Sequence, residues 1–93
     1  MSSENLAKYN DCFVESLEIE LNLVNEKLEY NSIQQWDSIG HMSLIAALEE
    51  TFDITIETDD IIDFSSYKKG VEILNKYKVK IDIWKIKNLT KLK

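Results

Sequence analysis

Ser38 and His41 are the side chains best suited to nucleophilic chemistry. Ser38 directly follows Asp37, and His41 lies three positions after Ser38. A serine hydrolase needs a histidine that reaches the serine from a separate element, whereas both residues here fall on one predicted helix. The nucleophile elbow of many hydrolases also has glycine two residues on either side of the serine, but only Gly40 fits and position 36 is tryptophan. We therefore expect no hydrolase site, and we expect His41 to face solvent.

Metal and nucleotide sites lack their usual residues. The chain holds one cysteine, Cys12, and one histidine, so the ligand spacing of a zinc site is absent. The acids between 59 and 63 lack the glycine and the alternating oxygen ligands of a calcium loop, although loose binding of a divalent cation by the acids between 49 and 53 stays open. Two glycines cannot make a glycine-rich phosphate loop. No metal site is predicted.

Ser38 comes immediately before a strongly apolar run that is typical of a helix. A serine at this place usually caps the helix, because its hydroxyl accepts a hydrogen bond from a free backbone N–H of the first turn. The partial positive charge of those N–H groups also favours an attached phosphate. We therefore expect Ser38 to cap the helix and to be a suitable attachment point for a phosphodiester-linked arm.

Apolar residues that recur every three or four positions predict four helices. Their predicted ranges are 5–17, 39–52, 58–64 and 67–77. Residues 18–37 have no such period and predict a long loop with one short helical turn at about 24–29, held to the core by its apolar residues as far as Trp36. The predicted fold is all-α: a small four-helix bundle of three long helices and a short third helix, with the long loop between helices one and two.

Charge divides the chain into two parts. Residues 1–78 contain 16 acids and 6 lysines, a net charge of −10, whereas residues 79–93 contain 5 lysines and one acid, a net charge of +4. We therefore predict an acidic domain over 1–78 and a basic extension over 79–93. The extension could bind an anionic surface, a membrane interface or the acidic body, or it could pack as a fifth element. The acidic domain is expected to repel nucleic acid and to favour basic protein surfaces.

Size and composition indicate one small domain. A chain of 93 residues, 44% of them hydrophobic, can build one modest core but no cleft between lobes. Its apolar runs are far shorter than the roughly 20 residues that span a bilayer, and its start lacks the pattern of a signal peptide. We expect a cytoplasmic protein, where a lone cysteine stays reduced, with no stable membrane insertion.

Over residues 6–77 the chain resembles an acyl carrier protein. The resemblance is clearest at 36–42 and at 47–54, which are similar to the family's Asp-Ser-Leu at the start of the second of four helices and to its Glu-Glu-x-Phe helix end. It implies that Ser38 carries 4′-phosphopantetheine derived from coenzyme A. The terminal thiol of this group would hold an acyl or aminoacyl group as a thioester, so the protein would be a carrier without catalytic activity of its own.

The resemblance also implies roles for other residues. Those expected to meet partner proteins are Asp37, Ile39, Met42, Glu49 and Glu50. Those at inward positions, which could open around an acyl chain, are Leu44, Leu48, Ile56 and Ile62. The implied partners are a phosphopantetheinyl transferase, an adenylating ligase or acyltransferase, and a downstream acyl or aminoacyl transferase. The carrier itself is expected to be a monomer.

Two departures from the family favour a dedicated pathway over housekeeping fatty-acid synthesis. Gly40 and Ser43 stand where carriers of fatty-acid synthesis often have acids, which lowers the negative charge expected on the exposed face of helix two. The basic extension is also foreign to the ordinary fold. We therefore expect a stand-alone carrier of an aminoacyl or modified acyl group in a secondary-metabolite or surface-glycan pathway. The alternative is a helical adaptor that carries nothing and acts through its acidic face and basic tail.

Overall fold

A computed structural model describes residues 2–81 of the chain. Its elements are α1 (Ser2–Leu17), a 3-10 helix (Leu21–Leu23), α2 (Ser38–Phe52), α3 (Thr58–Asp63) and α4 (Tyr67–Lys76). The only β-type pairing in the part of the chain that is described is an isolated bridge between Glu29 and Ser66. The predicted all-α four-helix bundle, with its short third helix and long first connection, is confirmed.

The long loop between α1 and α2 is tied to the start of α4. Leu28 is buried, and its carbonyl accepts the backbone N–H of Tyr67 over 2.9 Å. The N–H of Tyr30 donates to the carbonyl of Ser65, also over 2.9 Å. The short helical turn of the loop lies earlier than the predicted range of 24–29, at Leu21–Leu23.

The core is an aromatic cluster around Phe13. The ring centroid of Phe13 lies 5.0 Å from that of Tyr9 and 5.5 Å from that of Trp36. The phenol of Tyr9 donates to the carbonyl of Tyr67 over 2.6 Å, and burial raises the pKa of Tyr67 to about 12. Trp36 is fully buried, so the loop is anchored in the core just before α2 begins.

Helices α1, α2 and α4 end in the same way. A residue other than glycine with a positive φ comes directly after α1 and α2, namely Glu18 (55°) and Asp53 (56°), and two positions after the end of α4, namely Lys78 (70°). The residue after it is apolar and donates its backbone N–H to the carbonyl five positions back, over 3.0 to 3.2 Å. This arrangement satisfies a carbonyl at the helix end and directs the chain back to the core, although left-handed backbone strains a residue that has a Cβ atom.

The folded body continues past residue 78. Val79 and Ile81 are buried in the core, and Asn5 Nδ2 donates to the carbonyl of Lys80 over 3.1 Å. Residues 79–81 therefore pack with the body, although the basic extension was predicted to start at 79, and the remainder of that extension lies outside the described residues. From residue 2 to residue 81, no helix has the length and apolar character needed to cross a bilayer.

Candidate functional site

Asp37, and not Ser38, caps the start of α2. Asp37 Oδ1 accepts the backbone N–H of Gly40 over 2.8 Å. Ser38 is the first residue inside the helix, and its side chain is exposed. The prediction that Ser38 caps the helix is therefore wrong, because the extended backbone of Asp37 places the cap one residue earlier. The helix does not need the Ser38 hydroxyl, which lies at the positive end of the helix dipole.

Gly40 lets the preceding loop pass close over the first turn of α2. A Cβ atom at Gly40 would collide with the carbonyl oxygen of Gln35 and would lie 3.0 Å from Leu17 Cδ2. Gly40 is buried, so the expectation that it occupies the exposed face of α2, where an acid could stand, is wrong. Ser43 is exposed, as that expectation requires. The close approach fixes the loop before Ser38 against the end of α1.

His41 links the loop, α2 and α3, and does not face solvent as predicted. Its Nδ1 accepts the indole N–H of Trp36 over 2.9 Å, and its Nε2 lies 2.8 Å from the carbonyl oxygen of Ile61. Because an indole nitrogen only donates, Nδ1 must be the acceptor and Nε2 must carry the proton. Both ring nitrogens are thereby engaged, and in this arrangement neither is available to accept a proton from Ser38.

An open pocket of about 360 Å³ lies between α2 and α3, with Ser38 in its wall. Its lining comes from the loop, from α2, and from α3 with the segment after it, and its aromatic and apolar members are Tyr30, His41, Met42, Ile61, Ile62 and Phe64. Ser65 adds a second serine. None of these side chains is an acid, a lysine or an arginine. The pocket therefore offers an apolar surface beside an exposed hydroxyl.

The residues expected to meet partners divide into two groups. Ile39 and Met42 are 78% and 54% exposed, and Glu50 is exposed, so these three lie on the surface as the resemblance implied. Glu49 is half-buried, and its Oε2 accepts the backbone N–H of Ile56 over 2.8 Å. Glu49 thus holds the segment after α2 in place and is not a free surface acid. Asp37 is exposed but is engaged as the helix cap.

Three of the four residues predicted at inward positions are in the core. Leu44, Leu48 and Ile56 are buried. Ile62 is 75% exposed, so its predicted inward position is wrong. The short helix α3 turns Ile61 partly inward and leaves Ile62 outside, where it lines the pocket beside Ser38.

The helix α3 is fastened to the end of α4 through Asp60. Asp60 Oδ1 lies 2.7 Å from Lys76 Nζ, and its Oδ2 accepts the phenol of Tyr77 over 2.6 Å. The pKa of Asp60 is lowered, first by the hydrogen bond from Lys76 and then by that from Tyr77. The Tyr77 oxygen also accepts the backbone N–H of Glu57 over 3.0 Å. These bonds fix the α3 wall of the pocket.

Cys12 is a packing residue. It is buried, and its Sγ lies 3.4 Å from Thr51 Oγ1. Burial raises the pKa of its thiol, which disfavours the thiolate that binds metals and attacks electrophiles. Within residues 2–81, no three or more His, Cys, Asp or Glu side chains are grouped so as to hold a metal ion.

Sequence reasoning missed Tyr30, Phe64 and Ser65 as parts of the site. They lie in the long loop and in the segment between α3 and α4, where no helical period indicates which way a side chain points. No sequence signal indicated them, because Tyr30 and Phe64 lie 11 and 23 residues from His41 in the chain and meet it only in the fold. The ring centroids of Tyr30 and Phe64 lie 5.4 Å and 5.9 Å from that of His41.

The fold and site together define a small all-α bundle with an exposed serine at the start of its second helix and an uncharged pocket next to it. Comparisons with protein-family models, with curated proteins and with solved structures find no match to this chain. Functional inference therefore depends on this geometry and on the residues at 36–42 and 47–54.

Proposed function

We propose that this protein is a stand-alone acyl carrier protein that holds its cargo as a thioester on 4′-phosphopantetheine attached to Ser38. The observation that carries the proposal is the state of Ser38: Asp37 caps the helix in its place, and its exposed hydroxyl lies in the wall of an apolar pocket. A hydroxyl that the fold does not use is accessible to a modifying enzyme.

The residues around Ser38 fit a phosphodiester-linked arm. The first turn of α2 places partly positive backbone N–H groups beside the serine, which favours a phosphate there. Met42 and Ile62 offer apolar surface to the uncharged part of the arm. When attached, the group supplies the thiol that holds the cargo, and this chain contributes its position and its surroundings.

The proposed partners are a phosphopantetheinyl transferase, an adenylating ligase or acyltransferase, and a downstream transferase, all in the cytoplasm, with the carrier acting as a monomer. Ile39, Met42 and Glu50 are exposed on α2 and form the proposed docking face. The acidic body supports encounter with basic partner surfaces. Glu49 contributes by holding the chain after α2.

Intact-mass measurement tests the attachment directly. The protein is incubated with coenzyme A and a broad-specificity phosphopantetheinyl transferase, and the wild type is compared with Ser38→Ala and with Ser43→Ala. Ser43 is the matched control because it is an exposed serine on the same helix. We expect one phosphopantetheine on the wild type and on Ser43→Ala, and none on Ser38→Ala. Absence of any addition, or addition that survives Ser38→Ala, would contradict the proposal.

Charge reversal tests the docking face. Glu50→Lys should slow the modification of Ser38 and weaken its dependence on salt, because it removes one acid from the surface that a basic partner meets. Glu15→Lys on α1 makes the same change of net charge elsewhere and should have a smaller effect. Equal effects of the two variants would show that only net charge matters. Glu49→Lys is unsuitable, because it would break the bond to Ile56.

The adaptor alternative is distinguished by the protein isolated from its source. An adaptor has an unmodified Ser38 and functions normally as Ser38→Ala, whereas the carrier has phosphopantetheine on Ser38 and fails as Ser38→Ala. In an adaptor, the exposed apolar surface of Ile39, Met42 and Ile62 would contact only a protein partner and no attached arm.

A further inference from the structure

The pocket beside Ser38 offers no counter-charge to a ligand. The polar side chains among its lining residues are those of Ser38, Ser65, Tyr30 and His41. Both nitrogens of that ring are engaged by Trp36 and by the carbonyl of Ile61. An ammonium or carboxylate group placed in the pocket would lose water and gain no ionic partner. The lining is therefore suited to an uncharged group.

The side chains at the centre of the described bundle are closely packed. Leu44 and Leu48 are completely buried. The ring of Phe13 packs against those of Trp36 and Phe64, with centroid distances of 5.5 Å and 6.4 Å. A ligand entering between these side chains would have to separate a closely packed core. The pocket between α2 and α3, in contrast, is open on the surface without any rearrangement.

The rim of the pocket leaves apolar side chains in water. Met42 and Ile62 are both more than half exposed, and Tyr30 is exposed as well. An apolar occupant would remove part of this surface from water, which is favourable in proportion to the area covered. Because Ser38 is itself in the wall, a flexible arm attached there can fold back and bring its own end to the pocket.

We infer that this pocket receives the acyl group carried on Ser38, and that the natural cargo is an uncharged, apolar acyl group and not an aminoacyl or dicarboxylic one. The volume of about 360 Å³ lies at the small end of ligand pockets, which indicates a short aliphatic or an aromatic acyl group. The inference rests on the proposed attachment at Ser38, and it narrows the cargo from the acyl, aminoacyl or modified acyl groups that the sequence left open.

The test loads three cargoes without any native ligase. A broad-specificity phosphopantetheinyl transferase transfers hexanoyl-, β-alanyl- or malonyl-phosphopantetheine from the corresponding coenzyme A thioester to Ser38. The Ser38 oxygen forms the new phosphodiester bond, the pyrophosphate bond of coenzyme A breaks, and adenosine 3′,5′-bisphosphate leaves. Hydroxylamine then attacks the thioester carbonyl, which forms a hydroxamic acid and releases the thiol. Each cleavage rate is divided by that of the same acyl group on free coenzyme A, so that differences in intrinsic reactivity cancel.

We expect the hexanoyl thioester to be cleaved about threefold more slowly on the protein than on coenzyme A, because the gain from covering part of the acyl chain is largely offset by the conformational entropy lost when the arm is ordered. The β-alanyl and malonyl thioesters should show ratios near one. Ile62→Ser should remove the protection of the hexanoyl group. Leu21→Ser is the matched control, because Leu21 is a large, 59% exposed apolar residue that does not line the pocket.

A second measurement does not depend on cleavage. The methyl NMR signals of Met42 and Ile62 in the wild-type protein should shift when the hexanoyl arm replaces the unacylated arm, whereas those of Leu21 should not. Protection and shifts limited to the hexanoyl form support the inference. Equal ratios for all three cargoes, or protection that survives Ile62→Ser, overturn it while the carrier function stands. Failure to attach any arm to Ser38 overturns both proposals.

Discussion

The indole N–H of Trp36 donates to Nδ1 of His41 over 2.9 Å, and the planes of the two rings lie within 20° of each other. This bond joins the buried end of the long loop to the first turn of α2. The other nitrogen of His41 reaches the carbonyl of Ile61 in α3. A single imidazole therefore connects the three parts of the chain that surround Ser38.

His41→Leu should destabilise the protein by about 1 to 3 kcal/mol, because it leaves the buried Trp36 N–H and the Ile61 carbonyl without their partner. Urea denaturation gives the free energy of unfolding. The matched variants are Trp36→Phe, which removes the donor, and the double variant. Since the donor is no longer orphaned in the double variant, its cost should be smaller than the sum of the single costs. Strictly additive costs would show that the bond contributes nothing.

Asp37→Ala should cost about 1 kcal/mol of stability, because it removes the side chain that accepts the N–H of Gly40. Ser38→Ala should change the free energy of unfolding by less than about 0.5 kcal/mol, since the serine is exposed and is not the cap. Thermal or urea unfolding of the two unmodified variants measures the difference. A larger loss for Ser38→Ala than for Asp37→Ala would mean that the serine is the true cap.

The helices were predictable because each long helix repeats its apolar residues over several turns. The same reasoning could not choose between Asp37 and Ser38 as cap, because both residue types cap well and the choice depends on how the loop crosses Gly40. The inward position expected of Ile62 was also wrong, because Ile62 is exposed. Helix α3 has only six residues, which is too short for a period to show which of Ile61 and Ile62 faces inward.

The role of His41 was hidden for a different reason. Its contacts reach Trp36, five residues away, and Ile61, twenty residues away, so no local pattern contains them. Helical position alone indicated a solvent-facing residue. Asp60 is a similar case, because its partners Lys76 and Tyr77 follow it by 16 and 17 residues and lie at the end of another helix. Tertiary hydrogen bonds of this kind follow from the packing of the helices, which periodicity does not specify.

Asp60 should make the stability of the protein depend on acid. In the folded state its pKa is lowered, mainly by the hydrogen bond from Lys76 and to a lesser extent by that from Tyr77. The ionised form therefore stabilises the fold at pH values above the ordinary carboxyl pKa of about 3.9. This contribution is lost as the pH falls below that value towards the lowered pKa. Asp60→Asn should therefore be less stable than the wild type at pH 7, and the difference should shrink below about pH 4. Urea midpoints at both pH values measure it, with the exposed neighbour Asp59→Asn as control; a difference independent of pH would contradict the assignment.

Glu18→Gly should stabilise the protein by about 0.5 to 1 kcal/mol. Glu18 has φ of 55° after the end of α1, a conformation that costs a residue with a Cβ atom more than it costs glycine. Glu18→Ala removes the charge but keeps the Cβ atom, and should therefore give a clearly smaller gain. Equal gains from the two variants would assign the effect to the charge at the helix end and not to the backbone.

Gly40→Ala tests how closely the loop approaches the start of α2. From helix propensity alone, this change should stabilise the protein by about 1 kcal/mol. The added Cβ atom, however, meets the carbonyl oxygen of Gln35, which belongs to the backbone and cannot rotate away. We therefore expect a net loss of about 1 to 3 kcal/mol and slower modification of Ser38, because the loop must move away from the helix that carries the serine. Urea denaturation together with the rate of phosphopantetheine addition measures both effects, and a stabilised Gly40→Ala protein would show that the loop has room to yield.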